Sequence, residues 1–327
     1  MKARISDTRR SIPTGATESV WHAADGHPIR RIDWPGINAA ETGARDRGAI
    51  LFLGGRGDHY EKYLETLDHW HRQGWAVTSI DWRGQAGSGR LGSDSMTGHV
   101  ADFSHWISDL RDFWADWSAR HDSGPRVLVG HSMGGHLSLR AVGEGAVSPD
   151  ALVLVAPMLG FAGPPLPPAM WHAATIAMTA LGPRHRPAWK AGEKPASGID
   201  ARQSLLTHDK SRYDDEHFWR QARPELQMGA PSWGWLERAA ESMRRTARAD
   251  FLKQVNLPVL VLSTSADRLV SARAIRRAVN LLPDAEHIEF GPESAHEILR
   301  ESDDVRDRAL QGIADFLDRH VPAGAAA

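Results

Sequence analysis

The pentapeptide Gly130-His131-Ser132-Met133-Gly134 sets a serine between glycines two positions before and two positions after it. That spacing matches the G-x-S-x-G turn from strand to helix, in which small neighbours let the backbone close sharply and present the hydroxyl as a nucleophile. The pentapeptide alone is a weak signal, because a chain with 30 Gly produces such spacings by composition. Its context strengthens it: Val127-Leu128-Val129 precedes the turn as an apolar run, and Leu137, Leu139 and Val142 follow as the apolar positions of a helix. A serine hydroxyl needs a base to take its proton, and the base needs a third group to hold its tautomer. Around such a turn the acid and then the histidine follow on loops after later strands. Asp267 lies just beyond the apolar run Val259–Ser263, and His296 lies on the loop after His287–Phe290, so these two are the expected acid and base. His287 falls inside a strand pattern and Asp284 precedes that strand instead of following it. Glu293 shares the loop of His296 but stands too near it in sequence to orient it easily.

The tetrahedral intermediate of acyl transfer needs N–H donors aimed at its oxyanion. Met133 supplies one from the turn, and Arg56 is the expected second, within Gly54-Gly55-Arg56-Gly57 at the exit of another apolar run. Gly55 and His131, beside these donors and the serine, are expected to touch substrate, as are Phe161 and Trp171. The Gly-rich exit does not read as a phosphate loop, since no Gly-Lys-Ser/Thr follows. The 17 His show no His-Glu-x-x-His pair, so neither a metal nor any other cofactor is expected.

These residues require a scaffold of buried strands. Trp21–Trp34 reads as an opening hairpin turning at Asp25-Gly26. Ala49–Leu53 and Trp75–Ile80 are apolar runs suited to strands buried on both faces, with a helix over Glu61–Gln73 between them. Asp102–His121 is a second helix, followed by strand Arg126–Val129. Further strands are expected at Ala151–Val155, Val259–Ser263 and His287–Phe290, and further helices at Gly134–Gly143, Ala272–Leu281 and Val305–Arg319. This alternation predicts an α/β protein with a doubly wound, mostly parallel sheet and helices on both faces. It lapses between about Met158 and Arg248. The expected organisation is an N-terminal extension over 1–19, a core over 20–157 and 249–321, a mainly helical cap insertion over 158–248, and a disordered tail over 322–327.

Composition narrows the function classes. With 39 basic against 41 acidic residues, a net charge of −2, nothing broadly cationic is available for nucleic acid. The absence of Cys removes disulfides and thiol nucleophiles together. Met1–Ser19 is polar and no apolar run follows it, so a cytoplasmic location is expected. Ala151–Pro183 carries no Asp, Glu, Lys or Arg, but its Gly and Pro residues break it into pieces too short to span a bilayer. The stretch Met158–Gly182 admits two readings, an acyl-pocket lining that also touches a lipid surface transiently, or packing of the insertion on the core. Thirteen Trp against three Tyr is an unusual balance, and core packing is the expected role of most.

The chain resembles serine hydrolases of the α/β-hydrolase fold, in the lysophospholipase and monoacylglycerol-lipase branch. The resemblance spans about residues 20 to 320. It rests on Gly55-Arg56 with Glu61-Lys62-Tyr63, Asp81-Trp82-Arg83-Gly84-Gln85 ahead of Gly87-Ser88, Gly130–His136, Ala156-Pro157-Met158, and Ala295-His296-Glu297-Ile298-Leu299 with Glu301. It implies cofactor-free cleavage of carboxylic esters, such as lysophospholipids or monoacylglycerols, through an acyl-enzyme on Ser132, with His296 as acid and base and Asp267 orienting it. C–C bond, lactone or amide hydrolysis by the same three residues, or a ligand-binding protein on the same scaffold, are the alternatives. The chain departs from the family's usual pattern at Gly54, where His or Pro is common, and at Ala86, where Gly is usual.

Overall fold

The computed structural model describes residues 9–36, 47–122, 124–163, 168–189 and 199–322. Thr17–His22 (β1) and Pro28–Trp34 (β2) form an antiparallel hairpin, followed by Ala49–Leu53 (β3), helix Leu64–Arg72 (α1) and Ala76–Ile80 (β4). Helix Ser104–Ser118 (α2), strand Arg126–His131 (β5), helix Met133–Gly143 (α3) and strand Ala151–Val155 (β6) come next. Four helices then precede the next strand: Pro168–Ala180 (α4), Ile199–Leu206 (α5), Lys210–Ala222 (α6) and Trp233–Thr246 (α7). A single turn at Ala249–Leu252 (α8) leads into Val259–Thr264 (β7), Ala272–Val279 (α9), Ala285–Phe290 (β8) and the closing helix Asp303–His320 (α10).

The eight strands make one sheet in the order β1-β2-β4-β3-β5-β6-β7-β8. β1 and β2 enter antiparallel and every later pairing is parallel. Successive side chains of a strand point to opposite faces, and both faces of this sheet are covered. In β3, Leu51 and Leu53 join Trp106, Leu110, Phe113 and Leu137 of α2 and α3 in one core. Ile50 and Phe52 join Leu64, Leu67 and Trp70 of α1 and Val305, Ile313 and Phe316 of α10 in the other. Double burial is why β3, β5, β6 and β7 read as continuous apolar runs. Nine of the thirteen Trp are buried in these layers.

β1 begins at Thr17, four residues before the expected hairpin start. It is an edge strand whose residues stay largely exposed, so Thr17–Val20 carry no apolar alternation to read. The chain just before it is anchored rather than loose: the Arg9 guanidinium pairs with Asp215 of α6 at 2.7 Å, and the Trp219 indole N–H donates to the Arg9 carbonyl at 2.9 Å. Residues 1–8 of the expected extension, and 323–327 of the expected tail, lie outside the described residues. Among the described residues no helix is long and apolar enough to cross a membrane.

Candidate active site

β5 delivers Ser132 to the carboxyl edge of the sheet. The serine sits at φ +53° and ψ −115°, a left-handed backbone that non-Gly residues rarely adopt. Tertiary bonds hold it there: its N–H donates to the Val155 carbonyl at 2.9 Å, and its carbonyl accepts from Met158 N at 2.9 Å and His136 N at 3.0 Å. The flanking glycines are required by packing. A Cβ on Gly130 would lie 2.7 Å from the Gly134 carbonyl carbon, and one on Gly134 would lie 2.2 Å from the Leu53 carbonyl oxygen. Ser132 occupies the cap position of α3, where a serine hydroxyl commonly accepts from the first turn. Here it makes no cap bond and meets His296 Nε2 at 2.9 Å.

The loop after β8 carries His296, whose Nδ1 meets Asp267 Oδ2 at 2.7 Å. Asp267, on the loop after β7, is itself fixed: its Oδ1 accepts from Leu269 N at 2.8 Å and Val270 N at 2.9 Å. These bonds set the tautomer, with Nδ1–H donating to Asp267 and Nε2 left to accept the serine proton. Burial pulls the His296 imidazole down, but the charge and hydrogen bond of Asp267 outweigh it and leave its pKa above the ordinary value. Burial likewise pushes the Asp267 carboxyl up, and His296 with the two backbone donors brings it below the usual carboxylate range. The three residues singled out from sequence thus form one hydrogen-bonded chain. The rivals stand apart: Glu293 is exposed and faces Arg308 at 3.7 Å, and His287 Nε2 is bonded to Ser263 Oγ at 2.8 Å.

The Gly55–Gly57 segment lies against the nucleophile, and a Cβ on Gly55 would be 3.0 Å from Ser132 Cβ. Its N–H groups are differently engaged. Gly55 N donates to Asp58 Oδ2 at 2.7 Å and Gly57 N to Gln85 Oε1 at 2.6 Å, whereas the Arg56 N–H between them has no acceptor among the described residues. Gly55 therefore has no donor left for substrate.

His131 corrects an expectation. Its ring is buried behind the serine, with Nδ1 at 2.9 Å from the Tyr63 hydroxyl and 3.1 Å from Asp58 Oδ2, and Nε2 at 3.4 Å from the His296 carbonyl. Both nitrogens are spent on the scaffold, and the ring packs against that of His296 with centroids 4.9 Å apart. Phe161 is half-buried and bridges to Val270 on the Asp267 loop, and Trp171 of α4 is half-buried against Gly163.

Behind His131 lies a buried charge network that the sequence reading did not single out. Lys62 Nζ donates to Glu297 Oε1 at 2.6 Å and to Asp58, and lies 3.2 Å from Glu216 of α6, while Arg300 pairs with Glu297. Burial raises the Asp58 carboxyl, but Lys62 and His131 hold it well below the usual range. The i,i+4 spacing of Asp58 and Lys62 was the available signal. Nearby, Ala86 takes φ +43°, a conformation suited to the glycine usual at that place.

Comparison with known proteins matches this chain with the family described as serine aminopeptidase, S33, over residues 44–303. Lysophospholipase L2 of Escherichia coli is 30% identical over 285 residues, covering 84% of this chain and 82% of that protein. Monoacylglycerol lipase of Mycolicibacterium smegmatis is 25% identical over 280 residues, covering 84% and 89%. Among solved structures, a soluble variant of monoglyceride lipase from Saccharomyces cerevisiae superposes with a TM-score of 0.72 at 17% identity, covering 96% of this chain and 97% of that one. The fold is accordingly that of the α/β-hydrolases, and the chain belongs to the serine aminopeptidase S33 family of serine hydrolases.

Proposed function

We propose that this protein hydrolyses carboxylic esters of monoacyl lipids, lysophospholipids or monoacylglycerols, through an acyl-enzyme on Ser132. The observation that carries this reading is the hydrogen-bonded chain from Ser132 Oγ through His296 to Asp267. His296 Nε2 takes the serine proton as Oγ bonds to the ester carbonyl carbon. The N–H groups of Met133, at the positive end of α3, and of Arg56 receive the oxyanion. The bond to the glycerol oxygen breaks, and His296 returns the proton to that oxygen. A water then loses a proton to His296 and attacks the acyl carbon, releasing the fatty acid and restoring the serine. Asp267 stabilises the imidazolium at both steps without itself taking the proton.

The substrate class is supported by the names of the relatives and by the apolar character of α4. In this reading the helices between β6 and β7 form a cap over the site. Phe161 and Trp171 line its acyl side, the cap touches lipid surfaces transiently, and the protein works in the cytoplasm. The test is intact-mass labelling with a fluorophosphonate, together with hydrolysis of lysophosphatidylcholine and monoacylglycerol, for the wild type and Ser132→Ala. The expected result is labelling and turnover in the wild type and neither in the variant. A wild type that takes no label would overturn the acyl-enzyme, and one that is labelled but cleaves neither lipid would overturn the substrate class.

A further inference from the structure

Arg56 contributes more than a backbone N–H. Its guanidinium runs between the loop at Gly98 and the segment Met228–Gly229, where Nη2 donates to the Gly229 carbonyl at 2.7 Å and the group lies 5.4 Å from the Trp235 ring centroid. Its Nε is buried with no partner, and among the described residues no carboxylate lies within ion-pair distance of it. Lys62, Arg30, Arg212, Arg220, Arg223 and Arg300 each face at least one carboxylate. Arg56 is thus a partly buried cation with an unsatisfied Nε and no carboxylate, a group suited to pair with an incoming anion.

A second guanidinium approaches from α5. Arg202 pairs with Glu216 at 3.1 Å yet stays about half exposed. It sits one turn before Leu205 and Leu206, whose carbonyls accept from His296 N and Glu297 N. Burial, and then the charge of Arg202, push Arg56 down to about 9, so that it remains a cation at neutral pH. Arg56 follows Gly55, which abuts Ser132, while α5 abuts the His296 loop. Arg202 is near enough for its charge to act on Arg56, so two positive groups share the neighbourhood of the loops that carry Gly55 and His296.

We infer that Arg56, assisted by Arg202, forms an oxyanion-binding subsite beside Ser132 that takes the phosphodiester of a lysophospholipid headgroup. This rests on the ester-hydrolase reading and selects between its two substrate classes. A planar guanidinium already fixed by Gly229 and Trp235 loses little freedom on gripping a phosphate oxygen, and a neutral monoacylglycerol gains nothing from it.

The experiment measures fluorophosphonate labelling of Ser132 at pH 7 in the presence of glycerol 3-phosphate, with glycerol as the uncharged control. Glycerol 3-phosphate slows labelling of the wild type and glycerol does not. In Arg56→Gln, which keeps the backbone N–H, the protection constant weakens about tenfold or more, the scale of one charge-assisted hydrogen bond, and Arg202→Gln weakens it by less. In parallel, the ratio of kcat/KM for lauroyl lysophosphatidylcholine over monolauroylglycerol falls in Arg56→Gln by a similar factor. Equal protection of wild type and Arg56→Gln, or no protection at all, overturns the subsite. So does a loss that is the same for both esters. Labelling needs no turnover, so a protein that is protected but cleaves neither lipid keeps the subsite and loses the proposed function.

Discussion

The loops that carry Ser132, Asp267 and His296 and the helix α4 differ in how completely their surroundings determine them. Ser132 is pinned through its own N–H and carbonyl, and Asp267 through two backbone donors, while His296 is bonded through both ring nitrogens. Helix α4 packs chiefly on α7, one layer out from the sheet, and leaves Met170, Ile176 and, just past its end, Leu181 exposed. Proton transfer tolerates little misplacement, whereas contact with acyl chains is shape-tolerant. The molecule accordingly places its chemistry on over-determined backbone and its apolar surface on a helix that little else restrains.

Breaking the tight side of this contrast gives the largest effect. Asp267→Asn leaves the shape intact but removes the acceptor that fixes the His296 tautomer, so kcat is expected to fall about 10^4-fold while fluorophosphonate labelling slows in parallel. The pH profile sharpens the test. His296 must be neutral to accept the serine proton, so kcat/KM falls as pH drops through its pKa, and Asp267 has moved that pKa above the ordinary imidazole range. Losing the carboxylate moves the acid limb of the residual activity to lower pH. An unchanged limb in Asp267→Asn would mean that another group titrates there.

Next in size is the charge network behind the site. Lys62→Met leaves Asp58, Glu216 and Glu297 facing one another without the cation they surround. Removing one partner of a buried ionic cluster typically costs about 3–5 kcal/mol, and a urea titration should show a loss of that size. A loss below about 1 kcal/mol would show that the cluster relaxes, for instance by protonation of one carboxylate.

The same contrast explains what could be read from sequence. β3, β5, β6 and β7 were legible because burial on both faces leaves an unbroken apolar run, and the three site residues follow from their position at the ends of such runs. Lys62 was opaque because a lysine in a helical stretch ordinarily faces solvent, and its partners Glu216 and Glu297 lie 154 and 235 positions away in the chain. His131 reads as a binding residue from its adjacency to Ser132, but Tyr63, Asp58 and the His296 carbonyl, all distant in sequence, engage its ring nitrogens. The bounds of α4 to α7 had no such runs to mark them, since α4 is uncharged throughout and α6 mixes six charged residues among its thirteen.

The loose side of the comparison yields the smallest change in stability and the most selective change in activity. Ile176 is 46% and Leu181 75% exposed, so replacing both by Ser removes little buried area, and the unfolding free energy should stay within about 0.5 kcal/mol of wild type per site. If α4 meets a lipid surface, each residue contributes there through apolar area transferred from water, roughly 25 cal/mol per Å². Two side chains together then shift partitioning onto dispersed substrate by a few-fold to tenfold. The measurement is the ratio of turnover on a dispersed long-chain monoacylglycerol to turnover on a soluble short-chain ester. A ratio that falls at constant stability places α4 at the lipid. A ratio that holds while stability drops by 2 kcal/mol or more, roughly the value of one buried side chain, makes α4 part of the packed core and erases the difference between the two regions.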